Sequence, residues 1–141
     1  MNKRNEGFTL IEMLVVIAMI GLLSAVVLVA LGPSRNKAKD TRIISDLQQI
    51  RSVMETLYNP TTNSYTITPV TSCSTPASGN SNIDTAFKDI NTNNGSACAL
   101  NLVPTTSNGY AVSATTASGA SYCVDSTGKV ASSTAASGVC Q

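Results

Sequence analysis

Two hydrophobic patterns follow one another along the first 58 residues. From Phe8 to Leu31, 24 consecutive positions hold a single charge, Glu12, and are otherwise apolar or small and uncharged. At about 1.5 Å of rise per residue, a helix of that length reaches ~36 Å, against a bilayer hydrocarbon core of ~30 Å. The run therefore predicts a membrane-spanning helix. From Ala38 the pattern becomes one-sided: Ile43, Leu47, Ile50, Met54 and Leu57 recur at spacings of 4, 3, 4 and 3, flanked by Ile44, Val53 and Tyr58. That spacing marks one face of an amphipathic helix. Arg42/Asp46 and Arg51/Glu55, at i and i+4, fall on its polar side. Gly32-Pro33 lies between the two patterns and predicts a kink or short break, since proline removes an amide donor and crowds the preceding turn. Asn59-Pro60 stops the helix.

Residues 59–141 read differently, being rich in Thr, Ser, Asn, Gly and Ala with few charges. Ile83, Phe87 and Ile90 at i, i+4 and i+7 after Asn82 predict a short capped helix. Four strands are expected at Ala97–Val103, Tyr110–Thr116, Ser121–Asp125 and Lys129–Ser132. Asn108-Gly109, Ser118-Gly119 and Asp125-Ser126-Thr127-Gly128 are the turns between them. The expected fold class is α+β: a long N-terminal helix, its first half transmembrane, carrying a small antiparallel sheet on its amphipathic half.

Cysteine usage adds covalent support and a compartment. All four cysteines, Cys73, Cys98, Cys123 and Cys140, lie beyond the helix. An even number in a small domain outside the membrane reads as two disulfides formed in an oxidising compartment. Their gaps of 25, 25 and 17 positions lack the paired C-x2-C spacing of a zinc site, and the chain has no histidine. Three connectivities are open to four cysteines. The sequential one, Cys73–Cys98 with Cys123–Cys140 stapling the C-terminal end, is the working expectation.

Charge and composition exclude several functions. The formal charge is +1, and residues 59–141 set Lys88 and Lys129 against Asp84, Asp89 and Asp125, so no basic stripe exists to bind nucleic acid. Without histidine there is no Ser-His or Cys-His pair, and no glycine-rich phosphate loop occurs, so no enzyme activity and no cofactor are expected. Asp125, or Asp84 with Asp89, offers oxygen ligands to calcium, but too sparsely for a dedicated loop; turn and helix-start roles suit them better. No metal site is expected. Asn94-Gly95-Ser96 matches a glycosylation sequon, for which a turn is the simpler reading.

Glu12 and the residues before it carry the functional signal. An ionisable group inside a membrane helix is costly and usually has a functional partner. A polar leader, Met1 to Gly7, ends on glycine directly against Phe8. Gly7-Phe8-Thr9-Leu10-Ile11-Glu12 followed by a membrane-length apolar run resembles the N-terminus of the prepilin family, precursors of type IV pilins and of type II secretion pseudopilins. The resemblance covers residues 1 to about 58 and matches the family pattern at each of those six positions. Pilins of that family often carry a proline near position 29, where this chain has Val29.

What the resemblance implies is specific. A membrane aspartyl peptidase, the prepilin peptidase, would cut between Gly7 and Phe8 on the cytoplasmic side and methylate the new Phe8 amine. Glu12 would pair with the Phe8 amine of a neighbouring subunit during assembly, although i,i+4 spacing also permits a pair within one chain. Residues 1–7 would be the cleaved leader, 8–31 the transmembrane and assembly half of the helix, 32–58 its amphipathic half and 59–141 the head. Basic residues lie on both sides of the apolar run, so the positive-inside rule does not orient it; the resemblance puts the leader in the cytoplasm. The implied function is a type IV pilus subunit: a homo-oligomer in a helical filament, made by an inner-membrane assembly platform from a single-pass precursor and ending outside the cell. The alternatives are a type II secretion pseudopilin and a membrane-anchored surface protein that does not polymerise. An ordinary secretory signal fits poorly, because the apolar core is too long and Leu28-Val29-Ala30 lacks the small-x-small pattern. No cysteine lies near the N-terminus to carry a lipid.

Overall fold

A computed structural model describes residues 7–93, 95–102, 108–136 and 138–141. The sequon's Asn94, the leader up to Glu6 and the expected strand end at Val103 lie outside the described residues. The chain divides into two compact units, one ending at Arg35 and one spanning Asn36–Gln141.

Helix α1 runs from Leu10 to Thr56 and includes Pro33. No break interrupts it there, contrary to the short break that Gly32-Pro33 suggests: proline removes one amide donor, and the donors around it remain available to the helix. In the first unit the apolar side chains are exposed throughout, from Phe8 at 81% to Val29 at 81%. No part of the most apolar window is buried. This segment has no core of its own.

The second unit has one. Ile43, Leu47, Ile50 and Met54 of α1 are fully buried, with Val53 and Leu57 partly so, as the 4-3-4-3 spacing requires. After α1, a tight hairpin pairs β1 (Tyr58–Asn59) with β2 (Ser64–Tyr65). Its turn hinges on Asn59, whose side chain accepts from the Thr61 amide at 2.9 Å, and on Asn63 in the left-handed region at φ 52°. Helix α2 (Ser81–Thr92) is capped by Asn80, which accepts from the Asn82 and Ile83 amides at 3.0 and 3.3 Å. It buries Ile83, Ala86, Phe87 and Ile90. The cap sits two residues earlier than Asn82, because Asn80 alone has the extended backbone from which a side chain reaches back over the first turn.

The main sheet is antiparallel with strands in the order β3 (Ser96–Leu102), β4 (Tyr110–Thr115), β5 (Ser121–Asp125) and β6 (Val130–Ala131). Leu100, Val112, Val124 and Val130 form one row across it, and the first three are fully buried in the core that α1 and α2 share. The opposite face holds Ala111 and Cys123, covered by a final hairpin, β7 (Ala135–Ala136) with β8 (Val139–Cys140). The central strand β4 is therefore buried on both faces. Small side chains make that possible: the Ser113 hydroxyl accepts from the Ala135 amide at 3.0 Å. Between α2 and β3, Gly95 donates to the Ile90 carbonyl at 2.9 Å, and a Cβ there would stand 2.5 Å from the Ile90 side chain. Only glycine fits that approach.

Two i,i+4 pairs do not serve as exposed helix salt bridges. Asp46 is buried, at 4% exposure, and meets Arg42 only at 3.6 Å. Glu55 instead accepts from the buried phenol of Tyr110 at 2.9 Å, and no ion pair joins it to Arg51 among the described residues. The phenol also donates to the Arg51 carbonyl at 3.2 Å, and burial pushes its pKa up. Tertiary partners outcompete the local pair in both cases, since a screened surface pair is worth only a few tenths of a kcal/mol.

Candidate functional site

The candidate site is the start of α1. Thr9 stands immediately before the first helical residue, and its hydroxyl accepts from the Glu12 amide at 3.3 Å. Glu12 reaches back: its Oε2 accepts from the Thr9 amide at 2.7 Å and from the Thr9 hydroxyl at 2.6 Å. This is a reciprocal capping box, in which Thr at the cap and Glu three residues on satisfy orphan groups of the first turn. The carboxylate thus has donors within its own chain. Its negative charge also lies at the helix end where the dipole favours it. Its signal in sequence is Thr9-x-x-Glu12 ahead of an apolar run, which adds a local capping role to the one the resemblance implies for Glu12.

Gly7 and Phe8 precede the helix, both exposed. A Cβ built on Gly7 would meet nothing within 4 Å, so the fold does not require glycine there. Glu12, Phe8, Ile11, Val15 and Val16 share one apolar surface groove of the helix. Such a surface can bind lipid or another helix; it holds no acid–base or nucleophilic constellation. Among the described residues no group of three metal-ligating side chains occurs.

The cysteines lie in the second unit. Cys73 bonds Cys98, tying the segment before α2 to β3, and Cys123 bonds Cys140, tying β5 to β8. Asp125 reinforces the second staple. Its Oδ1 accepts from the Thr127 hydroxyl at 2.6 Å and from the Thr127 and Lys129 amides at 3.0 and 3.1 Å, while Oδ2 accepts from the Cys140 amide at 3.2 Å. Lys129 Nζ in turn donates to the Cys140 carbonyl at 2.7 Å. Asp84 lies in the first turn of α2 and accepts from the Ser78 amide at 2.9 Å. Among the described residues neither carboxylate belongs to a group of three or more metal-ligating side chains.

Residues 2–28 match the family described as "Prokaryotic N-terminal methylation motif". The chain is also similar to the type IV wide pilus major component PilA4 of Thermus thermophilus, at 41% identity over 64 residues, which cover 45% of this chain and 48% of the relative. The chain thus spans about half the length of the curated relative it matches. No solved structure matches it. The methylation motif and the pilus relative agree with each other: this chain is similar to the type IV prepilins.

Proposed function

We propose that this chain is a pilin, the structural subunit of a type IV pilus filament. The observation that carries the reading is the pairing of the methylation motif with a first half of α1 whose apolar side chains, from Leu10 to Leu31, are left uncovered. In this account the prepilin peptidase cuts between Gly7 and Phe8 and methylates the Phe8 amine. That Gly7 is exposed and sterically unconstrained supports recognition by an enzyme as the reason for glycine. The precursor sits in the membrane with its leader in the cytoplasm. Residues 8–31 are the transmembrane and assembly half of α1, 32–58 the amphipathic half, and 59–141 the disulfide-bonded head.

Assembly moves the same apolar surface from lipid to neighbouring subunits. Inside lipid, Glu12 keeps its charge tolerable through Thr9; in the filament the Phe8 amine of a neighbour supplies the opposite charge. Head-to-tail packing that does not close yields a fibre, and an inner-membrane platform supplies the work of extraction. That the relative PilA4 is a major pilus component favours the pilus over a secretion pseudopilin.

The test is mass spectrometry of the intact protein in sheared surface filaments and in membranes. The expected species in the filaments starts at a methylated Phe8 and gains four hydrogens when its two disulfides are reduced. Gly7→Ala is expected to retain Met1–Gly7, and Glu12→Ala to be processed normally but absent from filaments. A processed chain confined to membranes would move the reading to a pseudopilin. A chain still starting at Met1 would sink it.

A further inference from the structure

Where α2 packs on α1 in the second unit, two carboxylates meet a single guanidinium. Arg42 gives both its short bonds to Asp89 Oδ2, from Nε at 2.8 Å and Nη2 at 2.7 Å, and approaches Asp46 only at 3.6 Å. Asp89 Oδ1 accepts from the Asn93 side-chain amide at 3.3 Å. Asp46 is 4% exposed, and its carboxylate shares the Arg42 Nε with that of Asp89, at 3.6 and 2.8 Å. Its Oδ2 is sealed from water and finds no donor among the described residues. Lys88 lines the same groove but pairs with neither carboxylate among the described residues.

An ionised carboxylate with one oxygen buried and unpartnered is strongly disfavoured. Two carboxylates gathered on one guanidinium nitrogen cannot both ionise without penalty. One proton resolves both problems. Placed on Asp46 Oδ2, it makes that oxygen the missing donor and Asp89 its acceptor, while Asp89 keeps the charge that Arg42 holds. No larger ligand reaches an oxygen that is closed to water. We propose that Asp46 and Asp89 form a one-proton latch between α1 and α2, fastened by an O–H···O bond at acidic pH and loosened when both carboxylates ionise.

The charged groups facing the pair are Arg42 from α1 and Lys88 from α2. Burial first, and then the charge of Asp89, raises the Asp46 pKa to about 6 against the opposing pull of Arg42. The folded state therefore binds an extra proton between ordinary aspartate pH, about 4, and about 6. Stability from the latch is present at the acidic end of that window and lost as pH rises through it. The folded-to-unfolded ratio changes by at most about tenfold per pH unit, the limit for one proton.

The test follows the Asp46 side-chain carboxyl carbon by NMR in the full chain in detergent micelles, together with urea unfolding across the same pH range. A midpoint near 6, and a stability decline that Asp46→Asn abolishes, are expected. Asparagine keeps the donor that the protonated acid provides, so this variant should fold. In a second variant, Asp89→Asn, the Asp46 midpoint should fall below the wild-type one, because the neighbouring charge is gone and Arg42 is released while burial remains. A wild-type midpoint at the ordinary value, an unchanged midpoint in Asp89→Asn, or a pH decline that survives Asp46→Asn would each overturn the latch.

Discussion

At Asp125 a buried carboxylate accepts from four donors, whereas at Asp46 one oxygen has none among the described residues. The two aspartates are almost equally buried, at 1% and 4% exposure, yet their pH dependences have opposite signs. At Asp125 desolvation pushes the pKa up, but the Thr127 hydroxyl and the Cys140, Lys129 and Thr127 amides outweigh it and hold the group below its ordinary value. Its stabilisation is present above the ordinary aspartate pKa and lost as pH falls through the lowered one, the reverse of Asp46. Replacing Asp125 by alanine strands those donors and should cost about 3 kcal/mol at neutral pH, read as a lower urea midpoint of the full chain in micelles. It should also flatten the acid limb of the stability profile. The sequence placed Asp125 correctly at the opening of a turn, since Asp-Ser-Thr-Gly is turn chemistry. Its burial was not legible, because the segment that covers it returns from the C-terminus, and local sequence carries no record of that return.

Helix α2 presents the same contrast at the scale of an element. The apolar spacing of Ile83, Phe87 and Ile90 located it, since 3.6-residue periodicity survives in sequence whatever the partner is. Its start was misplaced by two residues, because Asn80 and Asn82 are equally good caps by type and only backbone conformation chooses between them. Asn80→Ala should therefore destabilise the second unit by about 1 kcal/mol, with faster amide exchange at Asn82 and Ile83; Asn82→Ala should have little effect. The hairpins β1–β2 and β7–β8 escaped detection because strands of two residues have no alternation to read. Strand β4 was found, but its doubly buried state was not: small Ala and Ser side chains on one face look solvent-facing until the C-terminal hairpin lies over them.

For the whole molecule, the two units draw their stability from different sources. The first exposes its apolar side chains, so within the chain its helical backbone hydrogen bonds are what hold it. The second has a modest core and two disulfides closing separations of 25 and 17 residues, for which loop entropy suggests about 3 kcal/mol each. All four tyrosines lie in the second unit. Reduction of the full chain in micelles should therefore lower the denaturation midpoint of the near-ultraviolet tyrosine signal while much of the helical far-ultraviolet signal persists. An unchanged tyrosine midpoint after reduction would mean that the core suffices without its staples.

The sequence by itself determined the long apolar helix, the buried face from Ile43 to Met54, the α2 segment, the main strands and the Gly7–Glu12 signature. Each of these is written in local spacing or in consecutive residues, so no distant partner is needed to read it. Tertiary structure alone decided that Asp46 is buried beside Asp89, that Glu55 serves Tyr110 rather than Arg51, and that the C-terminal hairpin closes the second face of the sheet. Those outcomes depend on which side chains come within a few ångströms across long separations. There burial raises the stakes of every unpaired charge, and the better partner displaces the nearer one.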